Sequence, residues 1–329
     1  MDFKEFTAGK NDDERRLDRV VRSCISQENL SSIYKAIRKG LIKVNGKKTQ
    51  ESYRVKSGDS IKIASILLKN TKDCEENVSD KKMLFNNFDI IFKNENFLVI
   101  NKPYDMTVHG SENSIDKIVQ DFYKYSTSSS INKESSISFT PGPLHRLDRL
   151  TTGVLFFSWS INGARWFCEN MKAHSFEKIY LGIFEGRLES CKKWSDFIEK
   201  KQDDSKSFHT VLVKKSNEGN SKKALTKVVP LGFGKYQNID FTLAQIQIFT
   251  GRTHQIRAQA ASHGFPLLGD FAYGGTKINA QRQFFLHAQK ICFYEENKLG
   301  LPKEIVAPTP NDFQDFLENH KFCDYNKSI

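Results

Sequence analysis

The stretch that most constrains this chain is Leu144-His145-Arg146-Leu147-Asp148-Arg149-Leu150-Thr151-Thr152-Gly153-Val154-Leu155-Phe156-Phe157. It sets one carboxylate between two arginines, adds a Thr-Thr-Gly turn, and ends in an apolar run that has to be core. Neighbouring positive charge favours the charged form of a carboxylate, so Asp148 is expected to stay ionised. A fixed, charged acid beside a glycine turn at the edge of a core is what a nucleophile or a general base requires. Most Arg–Asp pairs are structural, and on this stretch alone both readings stand.

The 329 residues are enough for a substantial core and more than one domain. A formal charge of +11 argues for a polyanionic partner, nucleic acid before a membrane surface. Met1-Asp2-Phe3-Lys4-Glu5-Phe6 carries no basic region followed by an apolar run, and no stretch is long and apolar enough to span a bilayer. Cys24, Cys74, Cys168, Cys191, Cys292 and Cys323 are scattered without a Cys-x2-Cys pair. That spacing offers no zinc or iron–sulfur site and suits a reduced, cytoplasmic setting.

Residues 1–14 are polar and mixed in charge, and are expected to form a flexible arm. From Arg15 to Lys69 six arginines and eight lysines face four acids, a net +10. Leu17, Val20, Val21 and Cys24 recur at helical spacing, as do Ile33, Ala36 and Ile37, with Ser31 or Ser32 as a cap for the second helix. Gly40 closes that helix. Leu41–Val44 leads as a strand into the turn Asn45-Gly46, and Ser60–Ile63 forms another strand after Ser57-Gly58-Asp59. Arg15, Arg16, Arg19, Lys35, Arg38, Lys39 and Lys47 can then present a basic face that contacts phosphates without reading bases. Residues 65–87 read as a linker, and a larger domain runs over 88–329.

In that domain Asp89–Lys93 and Phe97–Ile100 are strand-like, and Asn101-Lys102-Pro103 makes a turn ahead of His109. A helix is predicted over Ile115–Tyr125, a loop over Ser126–Ser138, and a second helix over Ala164–His174. Lys178–Gly186 alternates as a strand. Residues 187–223 are polar and lysine-rich, and two more strands follow over Ala224–Pro230 and Ile239–Phe249. Thr250-Gly251-Arg252-Thr253-His254-Gln255-Ile256-Arg257 crosses from strand to helix, with Arg252 and Arg257 both expected on that helix and too far round it to share a face. His263 precedes Gly264 and reads as a capping or packing residue. His254, His263 and His287 have no acidic partner at metal-site spacing. Phe313, Phe316 and Leu317 suggest a terminal helix, and the tail from Lys321 is expected to fray.

Three of these stretches resemble the motifs of pseudouridine synthases of the large-subunit ribosomal RNA type: His145–Gly153, the Lys178-x-Tyr180 strand start and Gly251–Arg257. Thr152 stands where that family usually has Ser, and Leu150 fills a position that is often acidic; Asp148 is untouched. Residues 15–64 resemble the small S4-like RNA-binding domain. The resemblance implies an α+β fold: a large mixed or antiparallel sheet with flanking helices, plus the S4-like domain on a tether. It implies isomerisation of uridine to pseudouridine in RNA, 23S ribosomal RNA first and transfer RNA as the alternative, with no metal or cofactor. Asp148 would be the catalytic aspartate, Arg257 its paired arginine, and Tyr180 the ring that stacks on the base and can help move a proton. Arg146 would fill the space of the flipped uridine, Leu286 would pack on the base, and Arg252, Thr253 and His254 would shape the pocket. Lys102, His109, His145 and Lys178 would support these from behind. The protein is expected to be a monomer. The rivals are a noncatalytic RNA-binding or ribosome-assembly protein, and a nucleic-acid hydrolase using carboxylates and metal.

Overall fold

The computed structural model describes residues 2–25, 29–68, 85–128, 136–200, 210–278, 283–320 and 322–324. They fall into two compact units. One gathers Met1–Asn87, Ile115–Gly142 and Ser158–Arg165; the other gathers Phe88–Ser114, Pro143–Phe157 and Trp166–Ile329.

In the first unit, β1 (Phe3–Thr7), α1 (Leu17–Val21), α2 (Leu30–Arg38), β2 (Ile42–Val44) and β3 (Ser60–Ala64) build a three-stranded antiparallel sheet in the order β1-β3-β2 with two helices. Leu17, Val20, Val21, Ile33, Ile37, Ile42, Ile61 and Ile63 make its core. The side chain of Asn29, one residue before α2, accepts from the amide of Ser31, so the cap lies upstream of the expected serines. Gly40 ends α2 in the left-handed region, with Leu41 N–H returning to Ala36 O at 3.0 Å. Asn45 and Gly46 both have positive φ, as a tight hairpin turn requires.

Two expectations about boundaries are corrected here. Residues 3–7 are not a loose arm: they pair with β3 from Phe3↔Ala64 to Thr7↔Ser60. The start of the expected linker is also packed, because Ser65–Leu67 forms a short 3-10 turn that buries Leu67 in this core. Residues 69–84 of that linker lie outside the described residues. Further along the chain, α3 (Ile115–Ser128) belongs to this unit, where Phe122 stacks on Phe85 with ring centroids 3.6 Å apart. The expected domain over 88–329 is therefore interrupted. Asp12, fully buried, accepts from Gly9 N (3.0 Å), Ser136 Oγ (2.6 Å), Ile137 N (2.7 Å) and Ser138 Oγ (2.8 Å) and so holds residues 136–138 to the N-terminal module.

The second unit is organised on one mixed sheet. Its strands are β4 (Asp89–Lys93), β5 (Phe97–Lys102), β6 (Thr152–Ser158), β7 (Phe176–Glu185), β8 (Lys192–Lys200), β9 (Val211–Lys214), β10 (Lys222–Tyr236), β11 (Ile239–Ile248), β12 (Leu286–Phe293), β13 (Glu304–Val306) and β14 (Cys323–Asp324). The path is β4-β5-β6-β12-β7-β11-β10-β8-β9, with β13 on β12 and β14 on β10. The polar stretch 187–223 thus supplies sheet edge, with 201–209 outside the described residues. β6 and β12 run parallel through Thr152↔His287 and Gly153↔Ala288. That approach explains the Thr-Thr-Gly sequence: at Gly153, with φ +113, any Cβ would collide with the backbone of Ala288. Helices α4 (Ile161–Lys172), α5 (Gln255–Ser262) and α6 (Asn311–Asn319) follow along the described residues. Val154 and Phe156 of the apolar run pack with Phe97, Phe167, Phe176 and Phe293, while Leu181, Phe241, Phe285, Phe313 and Phe316 form a second cluster. The burial of about a dozen large apolar side chains makes this half of the sheet a rigid platform.

Candidate active site

The acid loop, Pro143 to Thr151, is fixed from several sides within the second unit. Leu144 N–H donates to Phe156 O (2.8 Å), and Phe156 N–H donates to His145 Nε2 (3.2 Å). The His145 ring stacks on Phe167. Burial and then the nearby Lys178 charge push this imidazole down to about 3, so it stays neutral and acts as an acceptor. Thr151 N–H closes a turn onto Asp148 O (3.0 Å). Lys102, wholly buried at the end of β5, donates to Pro103 O and Arg149 O, each at 2.8 Å, and so ties the Asn-Lys-Pro turn to the acid loop.

The partners of Asp148 are not its sequence neighbours. Arg149 pairs with Asp105 at 2.5 Å, and Arg146 is exposed. Arg257 Nη1 stands 3.6 Å from Asp148 Oδ2, and His254 Nε2 stands 3.9 Å from Oδ1. Both come from the turn into α5. His254 takes the left-handed conformation (φ 51) at the position before the helix, and its Nδ1 lies 2.9 Å from Tyr273 Oη. Arg252 precedes the helix instead of riding on it, and its Nε donates to Lys223 O at 3.0 Å.

Arg257 is held more tightly than a lone ion pair would hold it. Its Nε and Nη2 donate to the two oxygens of buried Asp270 (2.7 and 2.8 Å), and its guanidinium lies between the rings of Tyr273 and Phe284. Burial alone would lower its pKa, but Asp270 and then Asp148 outweigh burial and raise it. Behind α5 a buried chain of hydrogen bonds runs from Asp196 through Gln259 and Thr226 to Gln255, which receives Arg252 N–H and Thr250 Oγ1. The sequence motifs assign no role to Asp270, Tyr273 or Asp196.

Asp148 opens on a cavity of about 660 Å3. Of the residues singled out from sequence, His109, His145, Arg146, Lys178, Tyr180, Arg252, Thr253, His254, Arg257 and Leu286 also line it; Lys102 lies behind the wall. Tyr180, in the middle of β7, is buried, and burial followed by the charge of Asp148 pushes its hydroxyl well above the usual phenol range. Lys178, two residues earlier, is lowered by burial.

In the first unit, Arg19, Lys35, Arg38, Lys39 and Lys47 are exposed. Arg15 and Arg16 are engaged elsewhere: Arg15 Nη1 donates to Ser138 Oγ (2.5 Å), and Arg16 makes two hydrogen bonds to Asp18. Among the described residues no group of three His, Cys, Asp or Glu side chains is placed to hold a metal. His263 contacts Asp196 (2.9 Å) and His287 contacts Thr152 (2.9 Å), so the three histidines diverge.

Residues 96–262 match the RNA pseudouridylate synthase family and residues 15–61 match the S4 domain. The chain is 27% identical over 320 residues to the ribosomal large subunit pseudouridine synthase C of Buchnera aphidicola (subspecies Baizongia pistaciae), covering 92% of each. It is 30% identical over 235 residues to the ribosomal large subunit pseudouridine synthase D of Borreliella burgdorferi, covering 70% of this chain and 68% of that one. Among solved structures, human RNA pseudouridylate synthase domain containing 4 shares the fold, with a TM-score of 0.57 and 22% identity over 75% of this chain and 98% of that one. Taken with a carboxylate, an arginine and a tyrosine on one cavity, the matches identify the chain as a member of the RNA pseudouridylate synthase family.

Proposed function

We propose that this enzyme isomerises specific uridines of large-subunit ribosomal RNA to pseudouridine, acting as a monomer in the cytoplasm. The observation that carries the reading is the placement of Asp148 on a cavity with Arg257 at 3.6 Å and Tyr180 in the wall. The names of the Buchnera and Borreliella relatives, both ribosomal large subunit synthases, favour that RNA over transfer RNA.

The reaction breaks the bond from C1′ of the ribose to N1 of uracil and forms one from C1′ to C5. The proton on C5 leaves and N1 ends protonated, so no oxidant or reductant is consumed. A uridine in paired RNA first leaves the stack, at a cost of a few kcal/mol. Arg146, exposed at the rim of the cavity, fills the vacated position. Asp148 then attacks C1′ or takes a sugar proton to give a glycal; both routes start from the same carboxylate. Arg257 keeps that charge aimed, and because Asp270 and two rings already hold the guanidinium, little reorganisation is needed during reaction.

Tyr180 and Leu286 hold the freed base while it turns. With its hydroxyl pushed up, Tyr180 remains a neutral phenol near pH 7. It is therefore a poor base by itself and relays the C5 proton only by giving up its own as it takes the new one. Exposed Arg19, Lys35, Arg38, Lys39 and Lys47 supply sequence-independent attraction to phosphates.

The test is Asp148→Asn. Isotope release from uridine labelled at C5 should disappear, while filter binding of the RNA stays within about tenfold of wild type, since the change removes chemistry rather than the phosphate contacts. Normal turnover by the variant would remove the assignment. Mapping pseudouridine in RNA from cells with and without the protein should show sites lost from large-subunit ribosomal RNA; sites lost only from transfer RNA would redirect the substrate.

A further inference from the structure

A second cavity, of about 310 Å3, shares Met171, Lys178, Ile248, Gly251 and Arg252 with the wall of the first. Its outer side carries two exposed aromatic residues, Phe249 (44% exposed) and Tyr294 (55% exposed). Their positions follow from the sheet. Phe249 comes one residue after Ile248, which pairs with Lys178; Tyr294 comes one residue after Phe293, which pairs with Phe176. The two rings thus extend past the ends of β11 and β12, on either side of β7 where it begins. Neither is needed by the core: the residue before each is the buried one, and an exposed strand end tolerates any polar side chain. Between them lies Glu177, whose carboxylate accepts from Tyr294 Oη at 3.3 Å.

We infer that this second cavity binds the nucleotide adjacent to the target uridine, and that it prefers a base carrying an exocyclic amino group. The inference rests on the reading of the first cavity as the uridine site. Aromatic faces left in water beside a nucleotide pocket are stacking platforms for any base. Glu177 adds selection, because a carboxylate accepts readily from the exocyclic amino groups of cytosine, adenine or guanine, whereas the only donor on the Watson–Crick edge of uracil, N3–H, is flanked by two carbonyl oxygens that repel a carboxylate. Arg252 lines both cavities, and its Nε contact with Lys223 O orients the guanidinium for the phosphate that joins the two nucleotides.

The experiment uses the full-length protein and a fragment of RNA containing a mapped uridine. Fragments are made with an abasic residue, or with each of the four bases, on the 5′ or the 3′ side of that uridine. For wild type, removing the base on one of the two sides should weaken binding by about 5- to 150-fold, the range for one stacked base. Phe249→Leu and Tyr294→Leu should each bind the intact fragment more weakly and respond less to the missing base, with the rate at saturating RNA unchanged. Glu177→Gln should bind fragments with adjacent uridine and adjacent cytosine more nearly alike. If both aromatic variants respond to the abasic residue as wild type does while wild type forms pseudouridine, the subsite is wrong and the uridine site stands. If wild type forms no pseudouridine in any RNA, the reading of the first cavity falls and the subsite falls with it.

Discussion

Arg257 gives two of its hydrogen bonds to Asp270 and meets Asp148 only at 3.6 Å. The arginine is thus a bridge between a buried structural acid and an accessible one. A guanidinium held by Asp148 alone would follow every movement of the acid loop; anchored from behind, it is a fixed positive charge that the carboxylate faces.

Asp270→Asn is expected to keep the shape and remove the anchoring charge. Turnover should fall by about 10- to 100-fold, with RNA affinity nearly unchanged, because what is lost is the orientation of Arg257 toward the reacting centre. Breaking a buried pair also destabilises, by about 3–5 kcal/mol, which urea unfolding measures separately. A turnover rate equal to wild type would mean that Asp148 and the ring stacking position Arg257 unaided.

Much of this site was legible in the chain. Asp148, Tyr180 and Arg257 could be singled out because the residues around them form continuous motifs, and the apolar run Val154–Phe157 could only be core. The first inference from charge was misleading, since it assigned Arg146 and Arg149 to Asp148 by adjacency. In a tight turn successive side chains diverge, and Arg149 found Asp105, 44 positions upstream. The support from Asp270, Tyr273 and Phe284 could not be read because it depends on which loop folds over α5. Likewise nothing local marks Asp12 as buried: one of three successive acids in the polar run Asn11-Asp12-Asp13-Glu14 reads as solvated, and three of its four donors arrive from more than a hundred residues away.

Tyr180→Phe separates the ring from the hydroxyl. The ring still packs on the base, so RNA binding should stay within about threefold, while turnover falls by about 10²- to 10⁴-fold if the phenol relays a proton. Tyr180→Ala should weaken binding as well, by the ~1–3 kcal/mol of a lost stacking contact. Single-turnover rates and Kd on the same RNA distinguish the two, and an unimpaired Tyr180→Phe would leave the hydroxyl without a chemical role.

His145 should leave a signature in stability against pH. Its folded-state pKa of about 3 lies below the ordinary ~6.5 of histidine. The unfolded chain therefore takes up this proton first: the contribution is complete above pH ~6.5 and is lost as pH falls toward 3, at up to ~1.4 kcal/mol per pH unit. Asp18, Asp59 and Asp196 are held below the carboxylate range, where hydrogen bonds outweigh their burial, so their contributions are lost only at lower pH. Between pH 6.5 and 4.5 the urea midpoint of wild type should thus fall, and that of His145→Gln should fall less. Equal slopes would place the imidazole in contact with water.

The N-terminal module should prove necessary for more than RNA affinity. Gly142 and Ser158, which bracket the segment carrying Asp148, hydrogen-bond to each other through Ser158 N to Gly142 O (2.9 Å) and Gly142 N to Ser158 Oγ (3.1 Å). The residues just outside them are held by the N-terminus, with Ser136–Ser138 on Asp12 and the amide of Ile161 on Asn11 Oδ1 at 3.0 Å. Asp12→Ala removes the acceptor of four donors, one buried and three half-buried, and should cost about 3 kcal/mol or more. Amide exchange at residues 136–139 should quicken in this variant and, more strongly, in a chain lacking residues 1–64, and turnover should fall with it. A truncated chain that keeps those amides protected and its rate on saturating RNA intact would show that the module contributes affinity alone.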